Sequence, residues 1–341
     1  MKTSIVILNW NGADMLRRFL PSVIKHSPEA EVVVADNGST DDSLRLMAEK
    51  FPSVRTIALD KNYGFAEGYN RALRQVEADL YLLLNSDVRV EEGWLKPMLE
   101  HMAAHAEVAA CQPKIRCEWA PEMLEYAGAC GGYIGRLGFP FCRGRMLGTV
   151  ERDEGQYDTI APVAWASGAA LLIRSTAYWE AGGLDARFFA HQEEIDLCWR
   201  LRSRGWSIVC VPQSVVYHVG GGTLPKESPQ KAYLNFRNNL LLLYKNLPDE
   251  NFWYVMWRRR LLDMAAALHF LSGGHWAACR AVYRAHKDFR RMRHDFDADR
   301  QRNQDAARVD ADQILSPINL LWQYYVRRRR TFSQLPLHDK E

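Results

Sequence analysis

The chain has 341 residues, 48% of them apolar and 25% charged, which is ordinary for a globular protein and enough to bury a core without staples. Its seven cysteines are odd in number and irregularly spaced, which argues against a disulfide framework or a zinc site and for free thiols in a reducing compartment. The net charge of +3 hides an asymmetry: residues 1–235 carry 25 Lys and Arg against 29 Asp and Glu, a balance of −4, whereas residues 236–341 carry 19 against 12, a balance of +7.

SIVILNW near the start is rich in β-branched residues and predicts a strand buried on both faces. A helix follows from about Asp14 to Ile24, with Leu16, Phe19, Leu20 and Val23 on one face. EVVVADNGS predicts a second strand, and Ser39 or Thr40 is placed to cap the next helix. RTIALD, then the helical AEGYNRALRQV, then LYLLLNSDV continue the alternation, which implies right-handed βαβ units and a mainly parallel sheet. Residues 111–156 read as loops and hairpins over that sheet. VAWASGAALLIRS resumes as a strand, a helix runs from about Glu193 to Arg204, and WSIVCVP and SVVYHVGGGT predict two more strands. After Pro229 the chain turns helical and basic.

In such sheets ligands bind at the carboxyl ends of the strands. Three predicted strands end there in polar residues: Asn9 and Asn11, Asp36 and Asn37, Asn85 and Asp87. Asp36 suits either a nucleotide pocket or a helix cap. Asn85 and Asp87 suit a hard cation such as Mg2+ or Mn2+, or an Asx turn that closes the strand. His218 reads as a metal ligand or as a satisfied strand-end histidine. Glu193, Glu194 and Asp196 follow the Phe188–Phe189 pair. They fit a first helical turn, where negative charge is favoured, or a carboxylate whose apolar surroundings prepare it to accept a proton.

Taken in order, SIVILNWNG, VVVADNGSTDDS, NYGFAEGYN, LLLNSDV, ASGAALLIR, GGLDARFFAHQEEIDLCWRLRSRGW and VVYHVGGGT resemble the family 2 glycosyltransferases of GT-A fold, and most nearly the bacterial rhamnosyltransferase-like branch. The resemblance covers about residues 3–240. It implies a nucleotide pocket from Leu8, Asn9, Asn11 and Asp36, closed by Asn62, Gly64 and Asn70. It sets Asn85-Ser86-Asp87 in the place of the DxD motif, with Asp87 and His218 as metal ligands and Asn85 toward the ribose or in support of the metal. It puts Ser167 and Gly168 on the acceptor side. The Glu193–Glu194 pair matches the ED motif, whose second acid is the general base; this favours Glu194 over Glu193, with Asp196 and Arg200 in support.

The expected architecture is therefore a GT-A domain over 1–235 and a basic, mostly helical region over 236–341. The expected activity is inverting, Mg2+- or Mn2+-dependent transfer from a nucleoside diphosphate sugar, dTDP-rhamnose being the one the branch suggests, to a glycan or lipid-linked acceptor. A sugar nucleotidyltransferase is a rival, disfavoured because LNWNGADMLRR lacks a Gly-rich loop, and a non-catalytic scaffold is another. Trp253, Tyr254 and Trp257 beside Arg258, Arg259 and Arg260 suit an anionic bilayer surface. A helical appendage packed on protein fits them equally, and no nucleic-acid module accompanies them. The opening lacks the apolar region and cleavage site of a signal peptide. Met264 to Cys279, the most apolar stretch of the basic region, is too short to span a bilayer, so the expected location is the cytoplasm, peripheral on the inner membrane face.

Overall fold

The structure is a computed structural model and describes residues 1–220 and 228–337. Gly221, Gly222 and Thr223, from the last motif, lie outside the described residues. The first half alternates β1 (Thr3–Asn9), α1 (Ala13–His26), β2 (Glu31–Asp36), α2 (Ser43–Lys50), β3 (Arg55–Ala58), α3 (Gly64–Leu73) and β4 (Leu80–Asn85). β5 (Val88–Val90), α4 (Lys96–Ala104), β6 (Val108–Cys117) and β7 (Ala120–Leu124) follow. Four short strands come next: β8 (Gly132–Ile134), β9 (Pro140–Cys142), β10 (Arg145–Met146) and β11 (Thr149–Val150). The chain then forms β12 (Ala161–Pro162), β13 (Ala170–Arg174), α5 (Ser175–Glu180), α6 (Glu193–Ser203) and β14 (Ser207–His218). It ends in α7 (Pro229–Asn246), α8 (Asp249–Ser272), α9 (Trp276–Met292), α10 (Asp297–Asp305) and shorter turns.

The main sheet runs β12-β14-β6-β13-β4-β1-β2-β3. Its β1–β2, β1–β4, β2–β3 and β6–β14 ladders are parallel, and β13 enters antiparallel between β4 and β6. Alternate residues serve two apolar layers, as the period of two requires. Ile5, Ile7, Val34, Leu82 and Leu84 pack with Leu16, Leu20 and Val23 of α1 and with Met98 and Met102 of α4. Val6, Val33, Ala35 and Leu83 pack with Tyr69, Leu197, Leu201 and Leu240 to Leu243. Register fixes the site: Asn9 lies opposite Asp36, and Leu8 opposite Asn85, so three strand ends share one edge of the sheet.

The structure departs from the sequence reading in four places. Within the stretch read as loops, β6 is a ten-residue strand at the heart of the sheet. Its Gln112 and Lys114 are buried but satisfied by residues distant in sequence. Gln112 Oε1 accepts from the Ser167 amide at 2.8 Å, and Lys114 Nζ donates to Asp153 at 2.9 Å. WSIVCVP and SVVYH form one strand, β14, with a bulge between Val211 and Val215 that absorbs Pro212, which has no amide for the ladder. The residue before α2 is Asp42, not Ser39 or Thr40, because the Ser39 hydroxyl is engaged by β1. The boundary set at 235/236 falls inside α7, whose Leu240 to Leu243 are buried in the same core as β4 and β13.

Candidate active site

At the shared edge, the Asn9 amide donates to Asp36 Oδ2 at 3.1 Å and to Ser39 Oγ at 3.3 Å, while Asp36 Oδ1 accepts from the Ser39 amide at 2.9 Å. The turn after β1 is closed by Asn11, in the left-handed region at φ 50°, whose Oδ1 accepts from the Thr40 amide at 2.8 Å. Asn37 bridges to the next loop. Its amide donates to the Gly64 carbonyl at 3.0 Å and to Asn62 Oδ1 at 3.2 Å, and Asn62 Oδ1 also accepts from the Gly64 amide at 2.8 Å. The Leu8 side chain lies beneath Gly68 of α3. Gly64 has φ 77°, and a Cβ there would strike the Phe189 ring at 2.7 Å, so glycine lets the α3 loop and the loop before α6 meet. Asn9 Oδ1 is buried without a partner.

Beside this knot, Asp87 Oδ1 lies 3.1 Å from His218 Nε2, the Asn85 amide nitrogen is 3.3 Å from the same nitrogen, and Glu125 Oε2 is 3.5 Å from His218 Nδ1. Burial works against charge on His218, but the two flanking carboxylates outweigh it and hold the imidazole up at about 10. Burial likewise opposes ionisation of Asp87, and the His218 contact overcomes it, leaving the carboxyl below its usual range. An oxygen donor and an imidazole converging in a buried pair fit a divalent cation, which would take the place of the imidazolium proton. Glu125 would then orient the ring from behind. Among the described residues no three His, Cys, Asp or Glu side chains cluster as a cage. A cation held by Asp87 and His218 would complete its sphere from other oxygens, as Mg2+ does with substrate phosphates.

The third part is the loop before α6. Phe189, His191 and Gln192 all have positive φ, at 66°, 70° and 72°, a conformation that costs non-glycine residues about 1–2 kcal/mol each. The loop delivers Glu193 and Glu194 to the first turn of α6. Glu193 is buried, and burial together with the neighbouring Glu194 raises its carboxyl well above the ordinary range. Burial raises Glu194 to about 7 against the pull of backbone amides in that turn. One carboxylate oxygen of each is buried without a partner. A Cβ built on Gly168 would lie 3.2 Å from Phe65 and 3.8 Å from Glu194 Cβ, so Gly168 forms the wall between them. The adjoining Ala169 carbonyl accepts from the Asn85 backbone N–H at 3.0 Å, which ties the Gly168 wall to the end of β4.

Three residues assigned to the site do other work. The Asn70 amide donates to the Leu184 carbonyl at 2.7 Å, and its oxygen accepts from Tyr178 Oη at 2.7 Å and from the Leu184 amide. It is a clamp between α3 and the 183–184 turn, not a nucleotide contact. The Ser167 hydroxyl is buried against Gly128 and accepts from the Ala169 amide, leaving Gly168 to face the site. Asp196 is fully buried and engaged by Arg200 and Lys245 at 2.8 Å and by the Asn246 amide at 2.8 Å, so it anchors α6 to α7.

What the sequence reading missed is the device that holds the strained loop. The Asn238 amide nitrogen lies within 3.0 Å of the Phe188, Ala190 and His191 carbonyls, and Arg237 donates to the Phe188 carbonyl at 2.9 Å. The Asn239 amide donates to Gln192 Oε1 at 2.9 Å. The signal was present in FRNNLLLL, where three polar residues precede a buried leucine run on one helix. Asn238→Leu is expected to lower kcat by about 10-fold or more, since misplacement by 1 Å can cost as much as 100-fold. Nucleotide affinity should stay within about twofold; steady-state kinetics beside calorimetric nucleotide titration would show the split.

Among known proteins, the family model described as Glycosyl transferase family 2 matches residues 4–138. The N-acetylglucosaminyl-diphospho-decaprenol L-rhamnosyltransferase of Mycobacterium tuberculosis is 30% identical over 233 residues, covering 63% of this chain and 75% of that protein. Two solved structures share the fold. One is GalNAc-T7 with UDP, GalNAc and Mn2+, at TM-score 0.57 and 16% identity over 74% of this chain and 50% of that one. The other is the mannosyltransferase PcManGT from Pyrobaculum calidifontis with GDP-Man and Mn2+, at TM-score 0.51 and 14% identity over 89% and 85%. The sheet with a polar pocket at its strand ends is the GT-A fold that these two structures share. The chain belongs to glycosyl transferase family 2, and the mycobacterial enzyme places its likeness on the rhamnosyltransferase side of that family.

Proposed function

We propose that the protein transfers a sugar from a nucleoside diphosphate donor to a hydroxyl of a lipid-linked glycan, with inversion at the anomeric carbon. The observation that carries this reading is the pairing, across Gly168 and Ala169, of a Glu194 carboxylate with one unpartnered oxygen and the Asp87–His218 strand end. Glu194 takes the proton from the acceptor hydroxyl as its oxygen bonds to the anomeric carbon. The bond from that carbon to the donor's phosphate oxygen breaks in the same displacement, and the nucleoside diphosphate leaves with the electron pair. A divalent cation on Asp87 and His218 would neutralise the charge that builds on the diphosphate. Asn9, Asn11, Asp36, Asn37, Asn62 and Gly64 shape the nucleoside pocket, and Asn85 meets the ribose. The mycobacterial relative is named for L-rhamnosyl transfer to a polyprenyl-linked N-acetylglucosamine, which favours a deoxyhexose donor, dTDP-rhamnose, and an acceptor of that kind here. The basic helical region would hold the site at a cytoplasmic membrane face.

The test is a panel of dTDP-, UDP- and GDP-sugars with a polyprenyl diphosphate-linked sugar, read by nucleoside diphosphate release and by NMR of the product anomer. One donor turned over with Mg2+ or Mn2+, giving the inverted anomer, is the expected result; a retained anomer would sink the direct displacement. Since Glu194 acts deprotonated, kcat/KM should rise with pH through about 7 and level off above it. A profile flat from pH 6 to 8 would remove Glu194 from the role.

A further inference from the structure

Helix α8 is inverted relative to an ordinary surface helix. The face it turns inward holds Phe252 and Val255, but also a buried ion pair, Arg259 with Asp263 at 3.1 Å, joined by His286 Nε2 at 3.0 Å from Asp263. The face it turns outward is apolar. Trp253, Trp257, Leu261, Met264 and Leu268 recur at spacings of four, four, three and four residues, which sets them in one row along the helix. They are strongly exposed, Trp253 at 74%, Trp257 at 63% and Leu268 at 64%. At about 100° per residue, Arg260 and Arg258 fall on opposite flanks of that row. Both are exposed, and Arg258 lies over the Tyr254 ring at 4.2 Å. From residue 253 to 291 the exposed charged residues are Arg258, Arg260, Arg280, Arg284, Lys287, Arg290 and Arg291, all cations. The two acids in that span, Asp263 and Asp288, are buried or half-buried and bonded to His286 and Tyr233. On α9, Trp276 and Tyr283 alternate with these cations as further exposed aromatics.

No helix among the described residues is long and apolar enough to cross a membrane. An exposed apolar row flanked by arginines is instead the pattern of a helix lying in the plane of a bilayer interface, with tryptophan rings at headgroup level and cations against anionic lipid. A second copy fits this face poorly, because ridge-to-ridge contact would set like charges against one another. We propose that the α8 row, from Trp253 to Leu268, is the edge by which this protein seats on an anionic bilayer. The inference rests on the proposed lipid-linked acceptor for its purpose, but its observation is independent of the transfer chemistry. Because α7 holds the base loop and α8 follows it after two residues, a chain seated this way presents its site close to the lipid surface.

The test uses the full chain in co-sedimentation with vesicles of phosphatidylcholine alone or enriched in phosphatidylglycerol, at low and high salt. The expected result is binding to the anionic vesicles that weakens with salt. It should fall at least 10-fold in Trp257→Ser/Leu261→Ser and likewise in Arg258→Glu/Arg260→Glu, both checked for an unchanged circular dichroism spectrum. Transfer to a short-chain acceptor dispersed in detergent should be unaffected in both variants; this assay reads the catalytic reading separately, so either can fail alone. Absence of vesicle binding, or binding equal in wild type and variants, overturns the proposal. So does a dimer in sedimentation velocity that dissociates in Trp257→Ser/Leu261→Ser, which would assign the row to a second copy.

Discussion

Glu194→Gln is expected to lower turnover by about 10²–10⁴-fold, the usual worth of a positioned general base, while the nucleoside diphosphate binds as before. Gln keeps the shape and removes only the proton acceptor, beside a Gly168 wall that has no side chain to substitute for it. The same replacement should move stability in the opposite direction. A carboxyl held up at about 7 in the folded chain is protonated more readily there than when unfolded, near 4.5. Its contribution is therefore fully present below the unfolded value and is lost as pH rises through about 7. The wild-type unfolding midpoint should fall between pH 5 and pH 8, and the Gln variant should fall less and melt higher at pH 8. Differential scanning fluorimetry across pH, paired with single-turnover rates, reads both. Near-normal turnover would show that Glu194 does not take the proton, and a variant less stable at pH 8 that it does not carry the burial strain.

Asp87→Ala is the second large effect. It removes the only carboxylate in contact with His218 Nε2 among the described residues and leaves the ring facing Glu125 alone. If Asp87 and His218 hold the cation, nucleoside diphosphate affinity in the presence of Mg2+ or Mn2+ should fall by about 10-fold or more, and the gain that metal gives the wild type should vanish. A thermal-shift panel of UDP, dTDP, GDP and CMP, each with and without metal, reads this without turnover. It also names the base: one nucleotide should shift the wild type only with metal and fail to shift the variant. An undiminished metal-dependent shift in Asp87→Ala would place the cation elsewhere.

The parallel half of the fold was legible because β1 and β2 are β-branched runs and β4 a leucine run, all largely buried, and α1 is cleanly amphipathic with Leu16, Phe19, Leu20 and Val23 inward. β6 was not, because a strand containing Gln112, Pro113 and Lys114 reads as irregular until Ser167 and Asp153 are seen to satisfy it. Strand-end residues such as Asn9, Asp36 and Asp87 could be read from position alone, since a parallel sheet gathers them at one edge. Asn70, Ser167 and Asp196 could not, because each carries the polar type expected of a ligand contact but meets a protein partner that only the tertiary structure supplies. Asn238 was missed for the converse reason: FRNNLLLL marks it as polar beside a buried run, but its partners are backbone carbonyls, which residue identity does not name.

Helix α7 also determines how far the catalytic unit is portable. Lys245 reaches Asp185 at 2.7 Å and Asp196 at 2.8 Å, both beneath the base loop, while Arg237 to Asn239 hold that loop from above. A fragment ending at residue 235 would leave Asp185 and Asp196 with Arg187 and Arg200 alone and the strained loop without the side chains of α7 that hold its carbonyls. The chain beyond α7 is tied to the same unit, since Phe252, Val255, Phe289, Phe296, Phe332 and Leu335 are buried in the core that holds β4 and α6, and Arg187 pairs with Asp299; the helices therefore travel with the sheet in any exchange between relatives.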